Sequence, residues 1–170
     1  MKKIFLILVL LFSVQTYYSQ DLFSAARENN VTQIEQLIKA GQDVNKPDAR
    51  GFTPLILAAY NNNIDAAKLL LTAGANPNAQ DVSGNNALMG TSFKGYSEMA
   101  KLLLEHKADV NQINYNGASA LIFAVTFGRN DIVKQLISAG ADISLKDKSG
   151  KTAKDHALLQ ENKEALELLK

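Results

Sequence analysis

Gly51, Gly84, Gly117 and Gly150 follow one another at a constant spacing of 33 residues, with no drift. A glycine that returns at a fixed period marks a backbone site needing positive φ or a close approach, once per structural unit. A period of this length turns most of the chain into one motif written several times. It sets the architecture first, and it moves the functional question from a catalytic pocket to an extended surface.

Not all of the 170 residues belong to that repeat. Met1-Lys2-Lys3 is a short basic head, Ile4 to Val14 is apolar apart from Ser13, and Gln15 to Ser19 is a polar, aromatic run. This layout predicts a secretory signal peptide over residues 1–19, too short to span a bilayer comfortably, with an uncleaved anchor as the alternative. The expected address is therefore outside the cytoplasm. The short lysine head looks bacterial, which makes the periplasm the default and secretion the alternative. The mature domain is expected to be residues 20–170. Losing Lys2 and Lys3 takes the formal charge from +1 to −1, so neither nucleic acid nor an acidic membrane is an expected partner. With no cysteine, the chain has no disulfides, thiolate catalysis or cysteine metal sites.

Aligned on its glycines, the chain repeats the same events. Gly51 leads into Phe52 and Thr53-Pro54-Leu55-Ile56-Leu57-Ala58-Ala59. Thr53 suits a helix cap and Pro54 the first turn, where no backbone donor is lost. Asn86, Ser119 and Thr152 fill the cap position in later units. A break at Asn61-Asn62-Asn63, with Gly95 and Gly128 in the place of Asn62, precedes a second helix capped by Asn63 or Asn130. Its apolar face carries Leu69 and Leu70, then Leu102 and Leu103, then Leu136 and Ile137. Gly41, Gly74 and Gly140 close this helix at the left-handed position; Lys107 stands there in one unit, at some cost in stability. An extended stretch such as Ala75-Asn76-Pro77-Asn78 then runs to the turn Asp81-Val82-Ser83-Gly84.

A turn, a short helix and a longer helix in each period closely resemble the ankyrin repeat. The matching residues are Thr53-Pro54-Leu55, Ala58-Ala59, Leu69-Leu70-Leu71 and Ala73-Gly74-Ala75, echoed by Ala139-Gly140-Ala141-Asp142. Ile56, Met89, Ile122 and Asp155 replace the histidine usual after the leucine. The resemblance implies an all-α solenoid of stacked helix-turn-helix units joined by β-hairpin-like turns. The units fall at about 20–50, 51–83, 84–116, 117–149 and 150–170. The outer two are caps with polar faces, Asp21, Arg27 and Glu28 at one end and Lys163, Glu164, Glu167 and Lys170 at the other.

Catalysis finds little support in these residues. His106 and His156 are far apart, and no phosphate loop, zinc-binding histidine pair or nucleophile elbow occurs. Asp48, Asp81 and Asp147 recur at the turn, where aspartate accepts backbone hydrogen bonds. No catalytic residue, cofactor or metal is expected, and the chain is read as a non-enzyme.

Ankyrin-like stacks engage partners through the hairpin tips and the exposed side of the first helices, which line a concave face. Those positions are Arg50, Phe52 and Tyr60; Val82, Phe93 and Lys94; Ile113, Tyr115 and Phe127; and, at the last hairpin, Lys146, Lys148 and Lys151. Phe23, Tyr96 and Phe123, the remaining aromatic residues after Ser19, are assigned to packing. The resemblance thus implies a protein-binding module, expected to be monomeric, with an aromatic centre and one basic end. Two narrower versions stay open: an inhibitor, immunity or accessory factor for an exported enzyme, and a released binder of an external protein. A hydrolase or metal enzyme on a repeat scaffold, and a plain spacer, are the alternatives of other classes.

Overall fold

The computed structural model describes residues 21–170; the signal-peptide reading of residues 1–19 lies outside them. Ten helices form five consecutive pairs among the described residues. The pairs are α1 (Leu22–Arg27) with α2 (Val31–Lys39), α3 (Pro54–Tyr60) with α4 (Ile64–Thr72), and α5 (Ala87–Lys94) with α6 (Ser97–Glu105). Then come α7 (Ala120–Thr126) with α8 (Asn130–Ser138) and α9 (Ala153–Leu159) with α10 (Lys163–Leu168). None of these helices is long and apolar enough to cross a membrane.

The first helix of each pair starts where a side chain satisfies an orphan backbone donor. Asp21 accepts from the Ser24 N–H at 2.7 Å and Asn86 from the Met89 N–H at 2.9 Å. Longer bonds at 3.3 and 3.4 Å run from the Ile56 and Ile122 N–H groups to the Thr53 and Ser119 hydroxyls. Thr152 and Asp155 exchange bonds in a complete capping box. The second helices depart from expectation. Asn30 and Asn162 cap α2 and α10, but Asn63 makes no capping bond and Asn130 lies inside α8, behind Arg129. The Asn63 amide instead donates to the Ala26 and Arg27 carbonyls, both at 2.8 Å. The capping role passes to the preceding unit: Asn29 Oδ1 accepts from the Ala66 N–H in the first turn of α4 at 3.0 Å.

Each pair needs a left-handed residue between its helices, and Asn29, Asn62, Gly95, Gly128 and Glu161 supply it with φ of 54, 57, 89, 66 and 52°. A second left-handed residue closes the longer helix. Gly41, Gly74 and Gly140 fill this place, with Lys107 strained into it at φ 62°.

Stacking follows from side-chain size. The inner contacts use Ala25-Ala26, Ala58-Ala59, Thr91-Ser92 and Ala124-Val125, all fully buried. Thr91 and Ser92 are tolerated there because their hydroxyls donate back to the Ala87 and Leu88 carbonyls, both at 2.8 Å. Ile34, Leu70, Leu103 and Leu136 fill the layer between the helix rows. Each such side chain contributes about 2 kcal/mol on removal from water. First helices of successive units approach more closely than second helices do. The stack therefore curves with the first helices and hairpins on its inner side.

Successive hairpins are bonded directly. The Val82, Tyr115 and Lys148 N–H groups donate to the Arg50, Ser83 and Asn116 carbonyls at 3.0, 3.1 and 2.8 Å. Strand character is limited to the isolated bridges Ile113–Ser119 and Lys146–Thr152 among the described residues. Asn45, Asn78 and Asn111 add a second tie: their side-chain oxygens accept from the Asn76, Asp109 and Asp142 N–H groups, each at 2.7 Å.

Lys107 gives this fold a direct test. Glycine relieves the left-handed conformation but adds freedom to the unfolded chain, so Lys107→Gly should stabilise by about 0.5–1 kcal/mol. Urea unfolding should show a raised midpoint with an unchanged slope.

Candidate binding face

Constant hairpin ties put residues one period apart into rows along the inner side. One row reads Pro47, Gln80, Ile113, Lys146; the next reads Ala49, Val82, Tyr115, Lys148; a third reads Phe52, Asn85, Ala118, Lys151. The same three positions are thus apolar or polar in the middle units and all lysine at the last hairpin.

The turn itself is built the same way each time. Asp48 Oδ1 accepts from the Arg50 and Phe52 N–H groups at 2.8 and 2.9 Å, and Asp81 Oδ1 from those of Ser83 and Asn85 at the same distances. Asn114 does this in the third hairpin and Asp147 in the fourth. These carboxylates hold the hairpin, the role their spacing predicts. The side chains between them are left to face water.

Val82 (65% exposed), Tyr115 (61%), Ile113 (45%), Phe127 (42%) and Phe93 (37%) are the apolar members of the anticipated face that lie open. Phe93 and Phe127 meet edge to face with centroids 4.6 Å apart, and Phe123 stacks on Phe127 at 6.5 Å. Lys94 and Arg50 lie over the Phe93 and Phe52 rings at 5.7 and 4.9 Å. Lys146 and Lys148 are exposed, and Lys151 is half-buried with its ammonium on the Ser149 hydroxyl at 3.1 Å.

Phe52 and Tyr60 are less open than the sequence implies. Both are half-buried against the core, with ring centroids 6.2 Å apart. For Tyr60 the cause is Gly90, which stands in α5 where α3 has Leu57 and α7 has Phe123. A Cβ there would lie 2.4 Å from Tyr60 Cε2, so the Tyr60 ring occupies the space of the missing side chain. Burial first, and the nearby Asp81 charge second, raise the Tyr60 phenol above its ordinary pKa. Sequence reasoning missed Gly90 because its φ is ordinary; the available signal was a glycine inside a helix where neighbouring units carry large residues. Phe123, assigned to packing, is half-buried yet lines a hollow with Tyr60, Asn85, Met89, Gly90 and Phe93.

His156 occupies the row of Leu57, Gly90 and Phe123 in the last unit, and its Nε2 lies 2.7 Å from Asp147 Oδ2. The pair joins the last hairpin to α9. The Ser149 hydroxyl, then His156 and the Lys151 and Ser149 N–H groups, hold the Asp147 carboxyl well below the usual range. His106 ends α6 exposed. Among the described residues, no group of three or more histidine, aspartate or glutamate side chains is placed to hold a metal ion.

A curved stack of helix pairs, tied by a ladder of hairpins, is a helical-repeat solenoid whose inner side is its variable surface. The family model for ankyrin repeats (3 copies) matches residues 22–114, 72–147 and 92–170. The chain belongs to the ankyrin repeat family, whose repeats are protein–protein interaction modules and whose members are typically non-enzymatic scaffolds. No curated protein matches it.

Asp147 makes the last hairpin pH-dependent. A carboxyl depressed on folding gives stability that is present above its unfolded pKa of about 4 and lost as pH falls toward the folded value. Asp147→Asn should cost about 1–2 kcal/mol at neutral pH, through lost charge-assisted hydrogen bonds. In urea unfolding, the gap between variant and parent should narrow below about pH 4.

Proposed function

We propose that this chain is an exported, monomeric, non-enzymatic module that binds one partner protein through its concave face. The observation that carries the reading is the solvent exposure of Phe93, Tyr115 and Phe127 on the hairpin and first-helix side. Large aromatic groups left in water at one surface are the residues that most often dominate binding energy when a partner covers them. Val82 and Ile113 extend the apolar area along the hairpin tips, and Arg50, Phe52, Tyr60 and Lys94 border it. A face of about 800 Å² on this side is enough for a specific complex. The apolar leader at residues 1–19 supports action outside the cytoplasm, with the periplasm as the first place to look. Removing the leader leaves no excess of positive charge that would favour nucleic acid over protein.

Replacing Phe93 and Tyr115 together with alanine should weaken partner binding at least tenfold, since two aromatic contacts at an interface centre are each worth about 1–2 kcal/mol or more. The fold should survive the change, losing about 0.5–1.5 kcal/mol with the Phe93–Phe127 edge contact. Photocrosslinking from position 93 in an extract of the producing cells, followed by titration of the captured partner, measures this. Unchanged affinity in the double variant would remove the concave face from the contact.

A further inference from the structure

We infer that the concave face takes an extended acidic segment of its partner, anchored by one apolar side chain in the hollow over Gly90, an inference that rests on the proposed concave-face contact. The hollow measures about 200 Å³ and is walled by Tyr60, Asn85, Met89, Phe93 and Phe123. Pockets for drug-sized molecules run from about 300 to 1,000 Å³, so this one suits a single aliphatic side chain. Gly90 also lines it, where α3 and α7 carry Leu57 and Phe123, beside the Tyr60 ring that packs over the glycine. Apolar rings form its sides, and the Asn85 side chain stands at its rim, where its oxygen already accepts from the Asn114 amide at 2.8 Å.

Charge decides the rest of the segment. The ion-paired lysines among the described residues are Lys101, Lys134 and Lys170, all on second helices or beyond them. Arg50, Lys94, Lys146, Lys148 and Lys151, on the inner side, have no carboxylate within ion-pair distance among the described residues. The acids of that side are already engaged: Asp48 and Asp81 by their turns, Asp147 by its turn and His156, and Asp155 by the Thr152 cap. Lys146, Lys148 and Lys151 thus gather three cations at the last hairpin without an ion-pair partner among the described residues. Acidic residues of a partner would complete them.

The distance between the two features fixes the spacing. The hollow belongs to the third unit and the three lysines to the hairpin that opens the fifth. Two helix-packing steps of about 8–10 Å separate them, which is about 20 Å. An extended chain covers this in about six residues at ~3.3 Å each. The partner segment therefore has its acidic cluster about six residues from its apolar anchor. A nucleic acid would satisfy the lysines through phosphate but leave the apolar hollow unfilled, so a peptide fits better.

Selection of displayed random linear peptides, long enough to span both features, on the folded protein tests this. Enriched peptides should combine aspartate or glutamate with leucine, isoleucine or methionine at that separation. Synthetic copies should lose about tenfold in affinity on Lys146→Glu/Lys148→Glu/Lys151→Glu, and comparably on Phe93→Ala. Added salt should weaken the parent complex and leave the charge-reversed variant nearly unaffected. Peptides without acidic bias that still need Phe93 and Tyr115 would overturn this inference while leaving the concave-face reading intact. Failure to enrich any peptide dependent on Phe93 or Tyr115, or equal binding of a single-stranded oligonucleotide, would also overturn it. If photocrosslinking from position 93 then captured nothing either, the concave-face reading would fall with it.

Discussion

The contact on which the structure depends is backbone against backbone, one hairpin on the next. A Cβ on Gly51 would lie 2.9 Å from Asp81 Cα and Val82 N; one on Gly84 would lie 2.7 Å from Tyr115 N; one on Gly117 would lie 3.0 Å from the Lys146 carbonyl oxygen. These glycines meet two demands at once, positive φ and the absence of a side chain, and only glycine meets both cheaply. Gly150 has the same φ of 77° but nothing within 4 Å of its missing Cβ, since no further hairpin among the described residues stacks on it. The close approach lets each hairpin donate an N–H to its neighbour. That bond fixes the register between units, and the register defines the rows.

Curvature has a separate origin in the first helices. Pairs of small residues let these helices approach, and the larger side chains of the second helices hold the outer row apart. The unit containing α5 solves the same packing problem with Thr91 and Ser92. A buried hydroxyl without a partner costs on the order of 1–3 kcal/mol, and return bonds within the helix remove that cost. Gly90, in the same helix, gives up about 1 kcal/mol of helix propensity against alanine. Its compensation is the Tyr60 ring, which packs where a side chain would otherwise stand. A concave surface with one recess follows from that exchange.

Period, helix caps, left-handed closures and the turn aspartates were legible because each is a local event, decided within a few residues. The strain at Lys107 belongs to this group, since the glycine of the equivalent positions makes the substitution visible. What was not legible depends on neighbours about one period away. The Asn63 amide reaches two carbonyls of the preceding unit, and nothing local says that Asn29 of that unit, not Asn63, will cap its helix start. The Asn45, Asn78 and Asn111 ties likewise appear only once the units are in register. Tyr60 reads as a wet residue of its own helix and is half-covered because of Gly90 in the next. A repeat aligns its residues on paper, but the interaction between units is what assigns them to core or to surface.

The same distinction bears on how such a surface recognises anything. A stack of identical units would offer a partner several equivalent registers, each one period apart and equal in energy. Only departures from the repeat remove that degeneracy. Moved by one unit toward the first hairpin, a segment seated over Gly90 would meet Leu57 instead of a recess, and its acidic end would face Ile113, Tyr115 and Ala118 instead of three lysines. It would lose the apolar contact and leave its charges beside apolar side chains, so the shifted register is penalised twice. Specificity is a difference between such alternatives as much as the strength of the best one. The exact period builds the scaffold, and the breaks in it, a glycine without a side chain and a hairpin with three lysines, give the concave face a direction.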